Sequence, residues 1–327
     1  MSIPKRHHYL PQFYLRGFCP AGDLWMYDRE KGEIRRRNPK TVAVQKGFYA
    51  VRGPEGELDY AEVEKRLGVV ETQAAPVIRK LDAGGALELK ERYALAMFVA
   101  LLKYRTTAFE RQSAELQEVL SDSEAAKEML APSVEGVKTV LKQMGYGDAG
   151  LQEMAQRIYD HVREHGIEHR PGPNTRLDQI LQGAYEVGTQ LVLGPLTVAL
   201  APEGSGFITS DDPFALVARA GAQDPRAWEG TEVVPPGYEG WIPLSWRCLL
   251  IAGHEELGGR YIRFDESDVE AANVMMAAQC ERFFMGGDEV QLNRVAAELR
   301  RMTENGWVLP GRVDLSRHHA SQSGGAD

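Results

Sequence analysis

Leu24-Trp25-Met26-Tyr27-Asp28-Arg29-Glu30-Lys31-Gly32-Glu33-Ile34-Arg35-Arg36-Arg37 is the stretch from which the fold can be read. Leu24 to Tyr27 and Ile34 to Arg37 are strand-like runs flanking a polar turn that contains glycine, the pattern of a β-hairpin. A hairpin alone is at best marginally stable in water, so this one needs further strands to pair with. A short strand is expected near Gly47 to Val51, and the next candidates come far downstream.

Between them the chain is helical. From Tyr60 to Leu81 the apolar positions Leu67, Val70, Ala74, Val77, Ile78 and Leu81 recur at helical spacing, and Gly84-Gly85 ends the run. Leu89 to about Leu120 reads as one long helix, apolar nearly all round from Tyr93 to Leu102. Residues 123–169 read as two helices parted near Gly145-Tyr146-Gly147, and Asn174 is placed to cap a helix running to about Leu193. The period then switches. Leu196 to Leu200, Gly206 to Thr209, Phe214 to Val217, Trp241 to Ile251 and Tyr261 to Phe264 read as strands. They are followed by a helix over Asp265 to Cys280, a strand over Glu281 to Met285 and a helix over Asp288 to Thr303.

Strands, then helices, then strands with two helices make an α+β fold rather than a regular βαβ alternation. The expected architecture is a mixed, mainly antiparallel sheet built from the N-terminal hairpin and the C-terminal strands, packed against the helical middle at 57–195. Residues 1–310 are expected to form one α+β domain, with two adjacent domains as the alternative arrangement. Residues 311–327, rich in Ser, Gly and His, are expected to be a disordered tail that includes His318 and His319.

Composition limits the function classes. The three cysteines, Cys19, Cys248 and Cys280, are widely spaced without a CxxC, which argues against a disulfide framework or a zinc knuckle. No apolar run approaches the roughly 20 residues of a bilayer span and no signal-peptide layout opens the chain, so a soluble, cytoplasmic protein is expected. Net charge is −9, yet residues 1–56 hold eleven Lys/Arg against five Asp/Glu. Tyr9, Phe13, Tyr14, Phe18, Trp25, Tyr27, Phe48 and Tyr49 share that basic segment. Cations interleaved with aromatics suit a surface that tracks phosphates and stacks bases, which makes nucleic acid the candidate partner. Exposed arginines on a strand edge give the same composition.

Several residues could carry chemistry. Glu64 and Glu71 fall on the apolar stripe of their helix, and Arg105 continues the ridge Phe98, Leu101, Leu102 of the next. A buried Glu71–Arg105 ion pair and a catalytic Glu71 are both consistent with that spacing. Thr209-Ser210-Asp211-Asp212-Pro213 puts two carboxylates and two hydroxyls on a tight connection between strands. Hard oxygen donors there suit Mg²⁺ or Mn²⁺, while Asp and Ser before Pro are also ordinary turn formers. Ser245 lacks the GxSxG elbow of a serine hydrolase, and Asn273 is a polar residue in a helix of Ala, Val and Met. His161, His165 and His169 share a helical face without the Glu of an HExxH, which reads as a solvated surface. No GxGxxG, P-loop or HNH spacing occurs, so nucleotide cofactors are disfavoured.

His7-His8-Tyr9-Leu10-Pro11-Gln12-Phe13-Tyr14-Leu15-Arg16-Gly17-Phe18, together with Glu71, Arg105, the Thr209–Pro213 turn and Pro243-Leu244-Ser245, resembles the DUF4238 family, over residues 6 to about 287. The family's turn usually reads Ser-Asp-Asn-Pro. Here Asp212 stands in place of the Asn, and Asp211 is kept. The family is one of unknown function, so the resemblance marks positions and supplies no reaction. The reading of the sequence is a metal-dependent phosphodiester hydrolase: His8, Asp211 and Glu71 catalytic, His8 and Asp211 holding Mg²⁺ or Mn²⁺, and Arg16, Arg105, Ser210, Ser245 and Asn273 contacting substrate. The competing reading is a non-catalytic binding or scaffold module in which Glu71, Arg105, Asp211 and Ser245 form a buried polar network.

Overall fold

A computed structural model of the chain describes residues 6–46, 51–52, 58–59, 62–113, 133–143, 150–165, 175–219, 222 and 233–304. The expected tail at 311–327, the cap at Asn174, His169 and the break at Gly145-Tyr146-Gly147 lie outside the described residues. The hairpin forms as read, from β2 (Leu24–Asp28) and β3 (Glu33–Arg37), with Leu24 opposite Arg37 and Asp28 opposite Glu33. Asp28 makes the turn: its Oδ1 accepts from the N–H groups of Glu30 at 3.1 Å and Lys31 at 3.4 Å, and Gly32 takes the left-handed conformation at φ +66°.

β2 is mostly buried and β3 mostly exposed, so the hairpin grows on the β2 side. The strand it finds is β13 (Phe283–Gly286), antiparallel, and beyond it β8 (Thr209–Ser210). Tyr27 and Phe284 meet in this sheet with ring centroids 4.7 Å apart. Each such buried aromatic contributes on the order of 1.5–3 kcal/mol.

The other late strands form a second sheet rather than joining the first. β7 (Leu196–Leu200), β9 (Ala215–Ala218), β10 (Tyr238–Pro243), β11 (Cys248–Ala252) and β12 (Tyr261–Arg263) order as β12-β7-β11-β10-β9. Every pair is antiparallel except the parallel pair of β12 with β7. The fold is α+β with mainly antiparallel sheets, and the C-terminal strands are shared between two of them. Two short pairs complete the set: β1 (Arg6–His8) with β4 (Val44–Lys46), and β5 (Val51–Arg52) with β6 (Leu58–Asp59). A core of buried residues lies between strands of both larger sheets and the two late helices, α7 (Glu266–Gln279) and α8 (Glu289–Glu304).

Helices α2 (Glu62–Asp82) and α3 (Leu89–Tyr104) pack together. The long helix expected to Leu120 breaks after Tyr104. Arg105 leaves helical geometry at φ −101°, ψ 20°, and the Thr106 hydroxyl donates to the Lys103 carbonyl at 3.2 Å, offering that acceptor a side-chain donor instead of a backbone one. Residues 107–113 are helical again.

The chain divides into two compact units, Met1–Ala108 with Leu177–Asp327, and Phe109–Arg176. The expected helical middle at 57–195 is thus shared between them. The smaller unit contains α4 (Val134–Gln143) and α5 (Leu151–His165), closed over Val137, Leu141, Leu151, Ala155 and Val162. Helix α6 (Thr175–Leu193) belongs to the larger unit except for its first two residues. No helix among the described residues is long and apolar enough to cross a membrane.

Candidate functional site

The opening motif folds into β1 and a short helix, α1 (Gln12–Arg16). Alternation along β1 sends consecutive imidazoles to different faces. His7 is fully buried, while His8 lines a cavity of about 310 Å³ with Pro11, Gln12, Phe13, Glu64, Leu67, Glu71 and Arg105. Phe13 anchors α1 on Phe98 of α3 at 5.3 Å. Tyr14 ties the same helix to the late strands: its hydroxyl lies 2.7 Å from Thr209 Oγ1 and donates to the Pro243 carbonyl at 2.8 Å. The first and last parts of the chain therefore meet, as the sequence led one to expect.

Three of the expected site residues share this cavity. Arg105, 3% exposed, donates from Nη1 to Glu71 Oε1 at 2.6 Å and from Nη2 to the His8 carbonyl at 2.8 Å. One guanidinium thus joins β1, α2 and α3. Sequence reasoning had noted Glu64 on the stripe without assigning it a role. Burial pushes its carboxyl up, partly offset by the His7 and Arg105 charges, and Glu71 pushes it further.

Gln12 and Arg16 stand one turn apart on α1, and their bonds have a direction. Guanidinium nitrogens only donate, so Arg16 Nη2, 3.2 Å from Gln12 Oε1, fixes which end of the amide faces it. That leaves Gln12 Nε2 donating to His8 Nε2 at 3.0 Å. The accepting nitrogen of His8 then carries no proton, so the neutral ring holds its proton on Nδ1. Arg16 in turn lines a second, open cleft of about 680 Å³ with Cys19, Asp23, Arg36, Arg37, Asn38 and Lys40. In that cleft Arg36 pairs with Asp23.

Asp211 is not in the lining of the His8 cavity. Its Oδ1 accepts from the N–H of Glu281 at 2.9 Å, and its Oδ2 from those of Arg282 at 2.8 Å and Phe283 at 2.9 Å. Burial pushes its carboxyl up to about 6, with the three amide bonds opposing. The remaining expected residues also have local partners. Ser210 Oγ donates to the Asp212 carbonyl at 2.7 Å and accepts from the Asp212 N–H. Ser245 Oγ donates to Asp82 and accepts from the N–H groups of Arg247 and Cys248, each at 3.1 Å. Asn273 bridges the Gly206 carbonyl and the Ile208 N–H, both at 2.9 Å. Among the described residues no three His, Cys, Asp or Glu side chains group closely enough to hold a metal ion.

A second group of charges had no sequence signal beyond the acidic turn itself. Lys103 sits 4.5 Å over the Phe214 ring, where burial lowers its pKa and Asp212 opposes that shift. Asp212, beside it, is pushed up to about 7, first by burial. A lysine on a helix that continues toward charged residues looks like solvated surface, which is why the sequence did not single it out.

No curated protein and no solved structure matches the chain. The family model for "Protein of unknown function (DUF4238)" matches residues 6–289, from β1 to the first residue of α8, and the chain belongs to that family.

Proposed function

We propose that the chain is a phosphodiester hydrolase whose basic cleft holds a nucleic-acid-like polyanion and whose His8 cavity transfers the protons. The observation that carries this reading is the hydrogen-bonded line Arg16–Gln12–His8, which connects the cationic cleft to the cavity along one face of α1. A phosphate taken by Arg16 competes for the N–H that holds Gln12, and so loosens the amide's hold on His8 Nε2. That nitrogen then accepts a proton from water as the water oxygen attacks phosphorus. Glu64, whose carboxyl is pushed up by burial and so keeps its proton more readily, donates to the leaving oxygen. The phosphorus–oxygen bond to the leaving group breaks as the bond to water forms.

The divalent ion expected from the sequence has fewer donors than foreseen, since both oxygens of Asp211 accept backbone N–H groups and Glu71 is bonded to Arg105. In this reading His8 and Glu64 are occupied by the proton transfers, so Mg²⁺ or Mn²⁺ would be held chiefly by water and substrate phosphate oxygens, as Mg²⁺ commonly keeps several waters. The test is cleavage of end-labelled single-stranded RNA and DNA with Mg²⁺, with Mn²⁺ and with chelator. His8→Ala and Glu64→Gln should each lower the rate by about 10²–10⁴-fold. Failure of the parent protein to cut either polymer in all three conditions, or a His8→Ala rate equal to the parent's, removes the reading.

The three N–H bonds to Asp211 and the doubly bonded, buried Arg105 favour a second reading, the scaffold module, in which these polar groups fix the fold around a binding cleft and no bond is broken. Under that reading the oligonucleotides bind in the cleft and are recovered intact.

A further inference from the structure

The His8 cavity carries two carboxyls with an apolar stretch between them. Glu64, Leu67 and Glu71 line it from one stripe of α2, at i, i+3 and i+7, so the carboxyls stand two turns apart, about 10 Å along the helix axis. Leu67, 3% exposed, is the apolar surface between them. Pro11 and Phe13 add to it, and the Phe13 ring is held in place by the buried Phe98. A volume of about 310 Å³ is at the small end for ligand sites and suits one nucleoside rather than a stack of bases. The separation of the carboxyls is also the reach of one nucleotide, from its phosphate to the outer edge of its base.

Glu71 has one oxygen committed and one spare. Oε1 accepts from Arg105 Nη1 at 2.6 Å, while Oε2 makes no hydrogen bond among the described residues. The side chain is 24% exposed, which leaves the carboxylate within reach of a ligand in the cavity. Arg105 is itself held by the His8 carbonyl, so the carboxylate is oriented before any ligand arrives. An ionised carboxylate accepts hydrogen bonds and donates none. Cytosine and adenine bring it an amino group at N4 or N6, where uracil and thymine present the oxygen O4, and two acceptors brought together repel.

We propose that the His8 cavity reads the base beside the scissile phosphate: a cytosine or adenine stacks on Phe13 and donates its exocyclic amino group to Glu71 Oε2, with its phosphate toward Glu64. The assignment rests on the hydrolase reading of the same cavity and narrows its substrate to strands that carry amino-bearing bases. Glu71 is then the specificity-determining residue, and the two carboxyls of the stripe divide the work. Glu64 serves the reacting phosphate at one end, and Glu71, fixed by Arg105, selects the base at the other. The aromatic wall holds any base by its face and so adds affinity without choosing among them.

The test compares kcat/KM of the full chain on end-labelled oligo-C and oligo-U of equal length, as RNA and as DNA with deoxyuridine. The two bases match in size and differ at position 4, amino group against carbonyl. Oligo-C should be cut about tenfold faster or more, the worth of one hydrogen bond to a charged group. Glu71→Gln keeps an oxygen for Arg105 and offers an N–H in place of the spare oxygen, so the preference should invert toward oligo-U. Loss of folding lowers both rates together and leaves their ratio, so the ratio reads recognition rather than stability, and the parent's own ratio needs no variant. Phe13→Leu should lower both rates by about tenfold without altering the ratio, and rates equal to the parent's would overturn the stacking. Cleavage of neither polymer removes the hydrolase reading and this inference with it. Equal rates of the parent on the two polymers, or a Glu71→Gln ratio identical to the parent's, overturn the base assignment and leave the hydrolase standing.

Discussion

At Asp211 the two carboxylate oxygens serve three backbone N–H groups that lead into β13, whereas at Asp212 the Lys103 charge offsets part of the burial. The two neighbours should therefore respond to substitution with opposite signs. Asp211→Ala removes the acceptor of three half-buried donors and is expected to cost about 1–3 kcal/mol at any pH where the protein folds. Asp212 ionises near 3.8 in the unfolded chain and near 7 in the folded one. Between those values the folded state holds a proton that the unfolded state has lost, so stability falls as pH rises through the window, and the full penalty is present above pH 7. Asn at this position cannot ionise. Asp212→Asn should melt like the parent near pH 4 and be more stable by about 1 kcal/mol or more at pH 8, read as a rise of several degrees in Tm. A lower Tm for Asp212→Asn at pH 8 would show that its contact with Lys103 outweighs its burial. The importance of Asp211 was legible in the sequence, but its role was not. Its partners are main-chain groups 70 to 72 residues away, and a backbone N–H leaves no mark on residue identity.

Between elements, the joint of β1, α2 and α3 rests on Arg105, which is 3% exposed, while the Glu71 side chain is 24% exposed. Removing Glu71 takes its carboxylate from a buried cation, and removing Arg105 takes the cation from Glu71 and the guanidinium donor from the His8 carbonyl. Each single alanine variant should cost about 3–5 kcal/mol in urea unfolding. The double variant Glu71→Leu, Arg105→Met should recover most of that loss, because two apolar side chains remove both desolvation costs. A double variant as unstable as either single would mean the joint depends on the bond to His8 rather than on the ion pair. This pair could be read from the sequence, since Glu71 and Arg105 each continue an apolar stripe and two stripes that face each other bring their polar members together. The end of α3 could not: a Thr106 hydroxyl bonding backward and a lysine stacked on Phe214 depend on neighbours the stripe does not encode. The strands show the same limit. Their residue patterns located β7, β9, β12 and β13 to within a few residues. Trp241 to Ile251, read as one strand, is two, β10 and β11, paired antiparallel across a turn, because an apolar run does not show where it folds back. Which sheet each strand joined is likewise a choice among partners.

Across the whole molecule the charge is divided, with a basic first segment in a chain of net charge −9. The fold gathers part of that excess in one cleft, where Arg16, Arg36, Arg37 and Lys40 come together while Asp23 neutralises part of Arg36. A surface of this kind binds a polyanion by releasing condensed counterions, so affinity should depend steeply on salt. For a single strand each neutralised phosphate adds about 0.7 to the magnitude of the slope of log K against log salt, and four contacts predict a slope near −3. Arg37→Glu with Lys40→Glu should weaken oligonucleotide binding and reduce that magnitude by about 1.4, two contacts' worth. Both residues are exposed, so the variant keeps its fold, and Arg163→Glu on the exposed face of α5 provides a charge reversal outside the cleft that should leave the slope unaltered. Fluorescence anisotropy across a salt series measures all three proteins. An equal drop for Arg163→Glu would mean that affinity follows net charge alone, and a slope unchanged by the cleft variant would mean that the phosphates lie elsewhere on the surface.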